Sequence, residues 1–346
     1  LEQLSVITDD LTVFIMNIEA LSTKRGYDFA YKFLLKNQTL VCVDESTTIK
    51  NHSAQRTKNI LKLAKHAKYR RIMTGSPVTK SPLDLFSQVQ FLDPWLLDQQ
   101  SYYSFRARYA VIVQRSVGTH SFQHIVKYQR LDELQEKIQN FSTRVLKSDC
   151  LDLPEKVYTK RSVSLTSEQV KAYTEMKKAA ITFFEENVMT AASVLTQMIR
   201  LHQIICGHVK TDDGEVKSIK SNRIKELLEV LEETNGKVII WAVYRYDIQE
   251  IERTLGEKYG KESVATYYGD TKDNLRQSIV DRFMDADDDL RFFVGNPKTG
   301  GYGLTLTSSH TVVYYSNDYS LEVRLQSEDR AHRIGQTSKV TYVDLM

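Results

Sequence analysis

Apolar and polar positions follow two rhythms along the chain. At 12–18, 39–43 and 71–74, short runs rich in β-branched and aromatic residues alternate with stretches whose apolar positions return every three or four residues, around 27–35 and through a lysine-rich segment. Strands alternating with helices in this way predict α/β layering around a parallel sheet. From about Leu83 to Leu231 the helical rhythm dominates, interrupted at Pro94, Gly118 and Leu153-Pro154, which predicts a helical insertion or bridge. Past Asn235-Gly236 the alternation resumes, with strands expected at 237–242, 263–267, 291–294, 311–315 and 340–344. The expectation is an α/β chain of two parallel-sheet lobes joined by a helical insertion, with boundaries at 1–93, 94–215 and 216–346.

Composition narrows the class. With 346 residues, 41% of them hydrophobic, the chain can bury a sizeable core without staples. Cys42, Cys150 and Cys206 lie far apart and form no paired metal-ligand spacing, so neither a disulfide framework nor a zinc module is expected. No apolar run is long enough to cross a bilayer, and Leu1-Glu2-Gln3-Leu4 has no basic segment leading into an apolar stretch. A reducing compartment and no membrane partner are expected: the cytoplasm of a bacterial or phage-infected cell, or the nucleus of a eukaryotic one. A net charge of +3 neither demands nor excludes nucleic acid, so local patches must decide. The leucine start and a final strand that simply stops predict a fragment of a longer protein.

Four segments carry chemistry. Val41-Cys42-Val43-Asp44-Glu45 is an apolar strand ending in two carboxylates, at the edge of a parallel sheet where such folds bind ligands. There Asp44 can hold Mg²⁺ through water and Glu45 can orient the water that attacks a terminal phosphate; an isolated pair of this kind is more often a solvated strand end. Arg71-Ile72-Met73-Thr74-Gly75-Ser76-Pro77 is a second strand, one helix later, whose Thr74 and Ser76 can bond to that edge and report its state. Arg330 and Arg333 share a face if 326–336 is helical, and two guanidiniums suit a polyphosphate. Gly295-Asn296-Pro297-Lys298-Thr299-Gly300-Gly301-Tyr302-Gly303 is not a phosphate loop, because Gly301-Tyr302 stands where Lys-Ser or Lys-Thr is needed and 304–307 is strand-like. A glycine turn approaching a nucleic-acid backbone or a lobe interface fits it better.

Taken in order, these segments resemble the motor core of superfamily-two helicases, specifically the Swi/Snf branch. Asp44-Glu45-Ser46-Thr47 followed by Ile49-Lys50-Asn51 is similar to the Walker B box, and Thr74-Gly75-Ser76-Pro77 to the third motif. Arg144, Lys147 and Leu153-Pro154-Glu155-Lys156 resemble the brace between lobes; Leu201-His202-Gln203-Ile204-Ile205-Cys206, Lys237-Val238-Ile239-Ile240-Trp241, Tyr268-Gly269, 299–306 and 326–336 resemble the later motifs. The resemblance covers essentially the whole chain. It implies two RecA-like lobes, the first incomplete at its N-terminus, and an ATPase that tracks along duplex DNA with ATP and Mg²⁺ as cofactors.

Within that resemblance Glu45, Arg330 and Arg333 are catalytic, the two arginines as fingers. Asp44, Gln326 and Gly303 bind the nucleotide, with Asp44 on the metal through water, and Thr74, Ser76 and Thr47 couple the motifs. Asn17, Lys50, Tyr268, Gly269, Thr299, Gly300 and Gly301 contact the DNA backbone without reading sequence. Three departures stand out: Ser46-Thr47 replaces the usual Ala-His pair and offers a shorter side chain toward Thr74, Thr305 stands where Asn is common, and no Gly-x-x-x-x-Gly-Lys-Ser/Thr loop occurs in these residues. The fragment alone is therefore expected to bind ATP poorly. Lys58, Lys62 and Lys65 fall at helical spacing, either as a phosphate-contacting face or as a solvated one. A strand-separating DNA or RNA helicase and a non-hydrolysing nucleic-acid-binding module are the alternatives, and the motor is expected to act as a single chain.

Overall fold

The computed structural model describes residues 11–117, 120–186, 191–211, 213–300 and 303–346. Packing divides the chain into two compact units, Leu1–Arg144 and Val145–Met346.

In the first unit, β1 (Leu40–Val43) and β2 (Tyr69–Ile72) pair in parallel with Leu40 opposite Tyr69 and Val43 opposite Ile72. A parallel pair needs a crossover, here α2 (Gln55–Ala64), whose Thr57, Ile60, Leu63 and Ala64 face inward. Helix α1 (Lys24–Lys36) starts where the Thr23 hydroxyl accepts from the Gly26 N–H at 3.1 Å. A Cβ at Gly26 would lie 2.1 Å from the Ala20 carbonyl oxygen, so only glycine lets the helix start against that turn. Leu21, Leu34, Val43, Ile49, Ile60, Leu63 and Phe91 close the core. The strand expected at 12–18 is not formed: 11–17 is irregular and a 3-10 turn runs from Ile18 to Ser22. β-branched side chains do not make a strand without a neighbour to bond, and among the described residues β1 and β2 pair only with each other.

A second cluster follows, built on α3 (Leu85–Leu92), α4 (Tyr102–Tyr109), the antiparallel hairpin β3 (Ala110–Val117) and β4 (His120–Tyr128), and α5 (Leu131–Gln139). Helical periodicity had hidden this hairpin, although Val111-Ile112-Val113 before Gly118 is a strand-and-turn signal. The expected bridge at 94–215 is thus shared between the units. Its part beyond Arg144 contains α6 (Lys147–Cys150), β5 (Lys156–Arg161), α7 (Ser167–Glu186), α8 (Ala191–Cys206) and the small antiparallel pair β6 (His208–Lys210) and β7 (Val216–Ser218).

β5 belongs to the main sheet of the second unit. With α9 (Arg223–Glu232), β8 (Lys237–Trp241), α10 (Arg245–Tyr259), β9 (Val264–Tyr267), α11 (Asp273–Met284), β10 (Phe292–Gly295), α12 (Pro297–Gly300), β11 (Ser309–Tyr314), α13 (Leu321–Glu328) and β12 (Val340–Leu345), the unit forms a six-stranded parallel sheet in the order β5-β12-β11-β8-β10-β9. Apolar side chains cover both faces: Val238 and Ile240 lie in one cluster, Ile239 and Trp241 in the other. That is why β8 and β10 read as unbroken apolar runs rather than alternations. β5 lies on the edge with most of its side chains exposed, and Lys156-Val157-Tyr158-Thr159-Lys160-Arg161 carries little apolar signal.

In the first unit Arg108 grips Glu133 through two bonds of 2.8 Å, and the Tyr109 hydroxyl donates to the same carboxylate at 2.9 Å. The Arg108 bonds lead the effects that hold the Glu133 carboxyl down at about 2, against a usual 4.5. A depressed carboxyl stabilises the fold above its unfolded pKa, and that contribution fades as pH falls from about 4.5 toward 2. Glu133→Gln is expected to lower the urea midpoint at neutral pH, with the gap to the parent closing over this acidic window; a constant gap would assign its effect to packing.

Candidate functional site

The carboxyl end of β1 is held by backbone exchange with its neighbour. Met73 N–H donates to the Val43 oxygen at 2.9 Å and Ser46 N–H to the Met73 oxygen at 3.0 Å. Between these anchors the chain turns sharply, and Glu45 sits at φ 46°, ψ 58°, left-handed without being glycine. Such a backbone costs about 1–3 kcal/mol and persists only where its surroundings enforce it. Glu45 N–H donates to Asp44 Oδ1 at 2.9 Å, and the Asp44 side chain is exposed.

Behind this turn lies a buried polar connection. The Ser46 hydroxyl donates to Gln88 Oε1 at 2.7 Å, while Gln88 Nε2 donates to the Pro77 and Asp84 carbonyl oxygens, both at 2.8 Å. Ser46 and Gln88 are fully buried and Thr47 is nearly so. The strand-end turn and the 74–77 loop are therefore joined through Ser46 and Gln88. Gln88 was not among the expected residues; its one signal is an amide in the mostly apolar segment Leu85-Phe86-Ser87-Gln88-Val89. Thr74 serves the loop itself, its hydroxyl accepting from Ser76 N–H at 3.2 Å. Just beyond, Asp84 Oδ2 accepts from Thr79 N–H, the Thr79 hydroxyl and Lys80 N–H at 2.8–3.0 Å. Desolvation raises the Asp84 carboxyl, but these bonds outweigh it and its pKa is lowered. Lys50 donates to the Thr79 hydroxyl, and Asn17 caps the Ile18–Ser22 turn through Glu19 N–H at 2.9 Å.

The donor set at this edge fits magnesium. Mg²⁺ keeps several waters and takes one or two carboxylates besides phosphate oxygens, so a single exposed aspartate suffices. No cluster of three or more potential metal-holding side chains occurs among the described residues.

In the second unit the expected residues divide between opposite edges of the sheet. Tyr268 and Gly269 follow the carboxyl end of β9, and Thr299 and Gly300 follow that of β10. Residues 303–308 lead to the amino end of β11, and α13 carries the chain back toward the amino end of β12, so Arg330 and Arg333 reach Leu304, the residue after Gly303, with Gln326 in the last turn of α13. The helix stops at Glu328. Arg330 and Arg333 therefore lie on a turn rather than a helix face, yet they converge: each donates to the Leu304 carbonyl oxygen, at 3.2 and 3.4 Å. Arg330 is nearly buried and also donates to the Gln326 oxygen at 2.9 Å; Arg333 is exposed and keeps donors for a ligand.

The turn is anchored from beneath. Buried Glu328 accepts from Lys156, Tyr158 and Arg324 at 2.8–3.1 Å, and Asp329 from Lys147 at 2.6 Å. His332 meets the Pro154 oxygen at 2.7 Å, and Gln336 Nε2 donates to the Thr307, Ser309 and Ala331 oxygens. Lys147, Pro154 and Lys156, expected as a brace, hold the arginine turn within this unit.

Among the glycines, Gly301 lies outside the described residues. Gly303 and Gly335 have φ of 73° and 98°, where glycine is favoured. Gly300 is buried, and a Cβ there would meet the Trp241 ring at 2.7 Å; Gly269 is exposed with nothing within 4 Å. Gly300→Ala is expected to cost about 1–3 kcal/mol of stability through overpacking, while Gly269→Ala leaves the denaturation midpoint nearly unchanged. Equal midpoints for the two variants would contradict the packing role of Gly300.

The SNF2-related domain matches residues 6–210, and the helicase conserved C-terminal domain matches residues 219–335. A Bacillus subtilis (strain 168) protein named as an ATP-dependent helicase/translocase is 27% identical over 344 residues, which is 95% of this chain and 35% of that protein. The SWI/SNF chromatin-remodeling complex subunit snf22 of Schizosaccharomyces pombe is 26% identical over 347 residues, 91% of this chain and 20% of the relative. Among solved structures, the Sulfolobus solfataricus SWI2/SNF2 ATPase core in complex with dsDNA is 24% identical with a TM-score of 0.47, covering 92% of this chain and 66% of the other. The chain spans about a third or less of the length of these two curated relatives.

Proposed function

From a chain that belongs to the SNF2-related domain family, we propose that the protein carrying it is an ATP-dependent motor that translocates on double-stranded DNA. The observation that carries this reading is the β1 edge, where an exposed Asp44 precedes a glutamate held in a strained conformation by anchors on either side. Asp44 is the magnesium ligand, through water, and Glu45 orients the attacking water and accepts its proton. Bound Mg²⁺ supplies charge neutralisation on the terminal phosphates. Arg330 and Arg333, fixed on one carbonyl, offset the charge that develops during phosphoryl transfer, with Gln326 and Gly303 beside them at the nucleotide. Hydrolysis is coupled to closing and opening of two RecA-like lobes, a hinge cycle. Thr74, Ser76 and Thr47 lie where the β1 edge passes its state to the following loop.

Charge distribution supports a nucleic-acid partner. Residues 1–144 carry 20 Lys and Arg against 13 Asp and Glu, whereas 145–346 carry 27 against 31. Between Glu45 and Asp84 there are nine Lys and Arg and no carboxylate. Lys58 and Lys62 lie exposed on the outer side of α2 and Lys65 lies exposed at its C-cap, with no carboxylate partner among the described residues. Lys50, Asn17, Tyr268, Gly269, Thr299, Gly300 and Gly301 are the proposed backbone-tracking positions, with Gly300 acting through its packing on Trp241.

In the full-length protein, Glu45→Gln is expected to lower duplex-stimulated ATP hydrolysis by about 10²- to 10⁴-fold, with ATP still bound. Hydrolysis indifferent to Glu45 would remove that residue from the catalytic step, and hydrolysis absent with every nucleic acid would leave only a binding module. Lys58→Glu/Lys62→Glu/Lys65→Glu is expected to weaken duplex binding and flatten its dependence on salt; an unchanged slope marks that face as merely solvated. One observation favours strand separation as a second reading: the β3–β4 hairpin has exposed Phe122 and Val113, a shape suited to a wedge. Unwinding of a forked duplex distinguishes it from translocation alone.

A further inference from the structure

We propose that Gln88 is a positioning residue for Glu45, acting through Ser46 as a clamp between the strand-end turn and the 74–77 loop. The inference rests on the ATPase reading above and assigns a role to a residue that no part of that reading uses.

The strained turn needs an external restraint. On its amino side Asp44 Oδ1 receives Glu45 N–H; on its carboxyl side Ser46 is fastened twice, by its N–H to Met73 and by its hydroxyl to Gln88. Of these three bonds, the Gln88 bond is made by a side chain from outside the β1–β2 pair. Its amide orientation is determined, since Oε1 faces a hydroxyl while the two Nε2 hydrogens face two carbonyl oxygens; a flipped amide would set oxygen against oxygen. Full burial of the amide is costly unless every polar atom is bonded, and here each is. Apart from Ser87, the other buried residues of α3 are Leu85, Phe86, Val89 and Phe91, all apolar, so packing alone would be served as well by leucine.

The clamp also has a direction. Pro77 closes the Thr74-Gly75-Ser76-Pro77 loop, so displacing its carbonyl pulls on Gln88, hence on Ser46 and on the backbone of Glu45. Two hydrogen bonds of 2.8 and 2.7 Å in a dry site transmit that pull. The short Ser46 side chain reaches the loop because Gln88 supplies the missing length.

The test measures ATP hydrolysis by the full-length protein with duplex DNA for Gln88→Leu and Ser46→Ala, each in the parent and in the Glu45→Gln background, beside thermal melting. Gln88→Leu is expected to lower kcat about tenfold or more while KM for ATP changes little, the signature of an interaction that matters in the transition state. Ser46→Ala, which spares the other two Gln88 bonds, is expected to act in the same direction and keeps the test open if Gln88→Leu folds poorly. Because the clamp works through Glu45, neither change should reduce the residual rate of Glu45→Gln. Parent-like kcat in both variants overturns the proposal, as does equal loss in both backgrounds with a lowered melting temperature, which marks a structural amide. Those results leave the ATPase reading standing if Glu45→Gln still loses activity; a parent protein that hydrolyses no ATP under any condition removes both.

Discussion

The site in the first unit depends on how β1 ends. A parallel strand leaves backbone groups to be satisfied where it exits the sheet, and here they are satisfied by the neighbouring strand on both sides of the turn: Val43 accepts from Met73, and Met73 accepts from Ser46. Fixing those two contacts leaves Asp44 and Glu45 to cross the gap, and the left-handed conformation of Glu45 follows. Everything proposed for this edge, from the magnesium ligand to the loop that follows β2, uses that enforced geometry.

A comparable economy operates in the second unit, where the sheet sorts the candidate segments between its edges. Each crossover returns the chain to the amino edge, so 303–308 and the turn after α13 meet there although more than twenty residues separate them in sequence. Leu304 offers the carbonyl on which both arginines converge, and the Lys147, Lys156, Arg324 and Tyr158 contacts around Glu328 and Asp329 hold the turn in place. The central strands supply the rigid backing, and Gly300 is required because Trp241 fills the space a Cβ would need.

Much of this was legible from residue order because the signals are local. Runs such as Val238-Ile239-Ile240-Trp241 and Phe292-Phe293-Val294, short and bounded by turn residues, read as strands, and carboxylates directly after Val41-Cys42-Val43 mark a strand end. What escaped was set by partners distant in sequence. The 12–18 run has strand composition but no ladder among the described residues, and the exposed residues of β5 conceal that β12 pairs with it. The β3–β4 hairpin was submerged in a longer helical rhythm.

By itself, then, the sequence determined the α/β class, the order of the motifs and the chemical kind of each candidate residue, since these follow from side-chain type and short-range periodicity. Tertiary structure alone decided which residues meet. Gln88 joins Ser46 to Pro77 across 42 and 11 positions, and Arg330 and Arg333 share a carbonyl despite leaving the helix. Hydrogen bonds between distant segments depend on how the chain is returned through its crossovers, a long-range consequence of packing that no local pattern encodes.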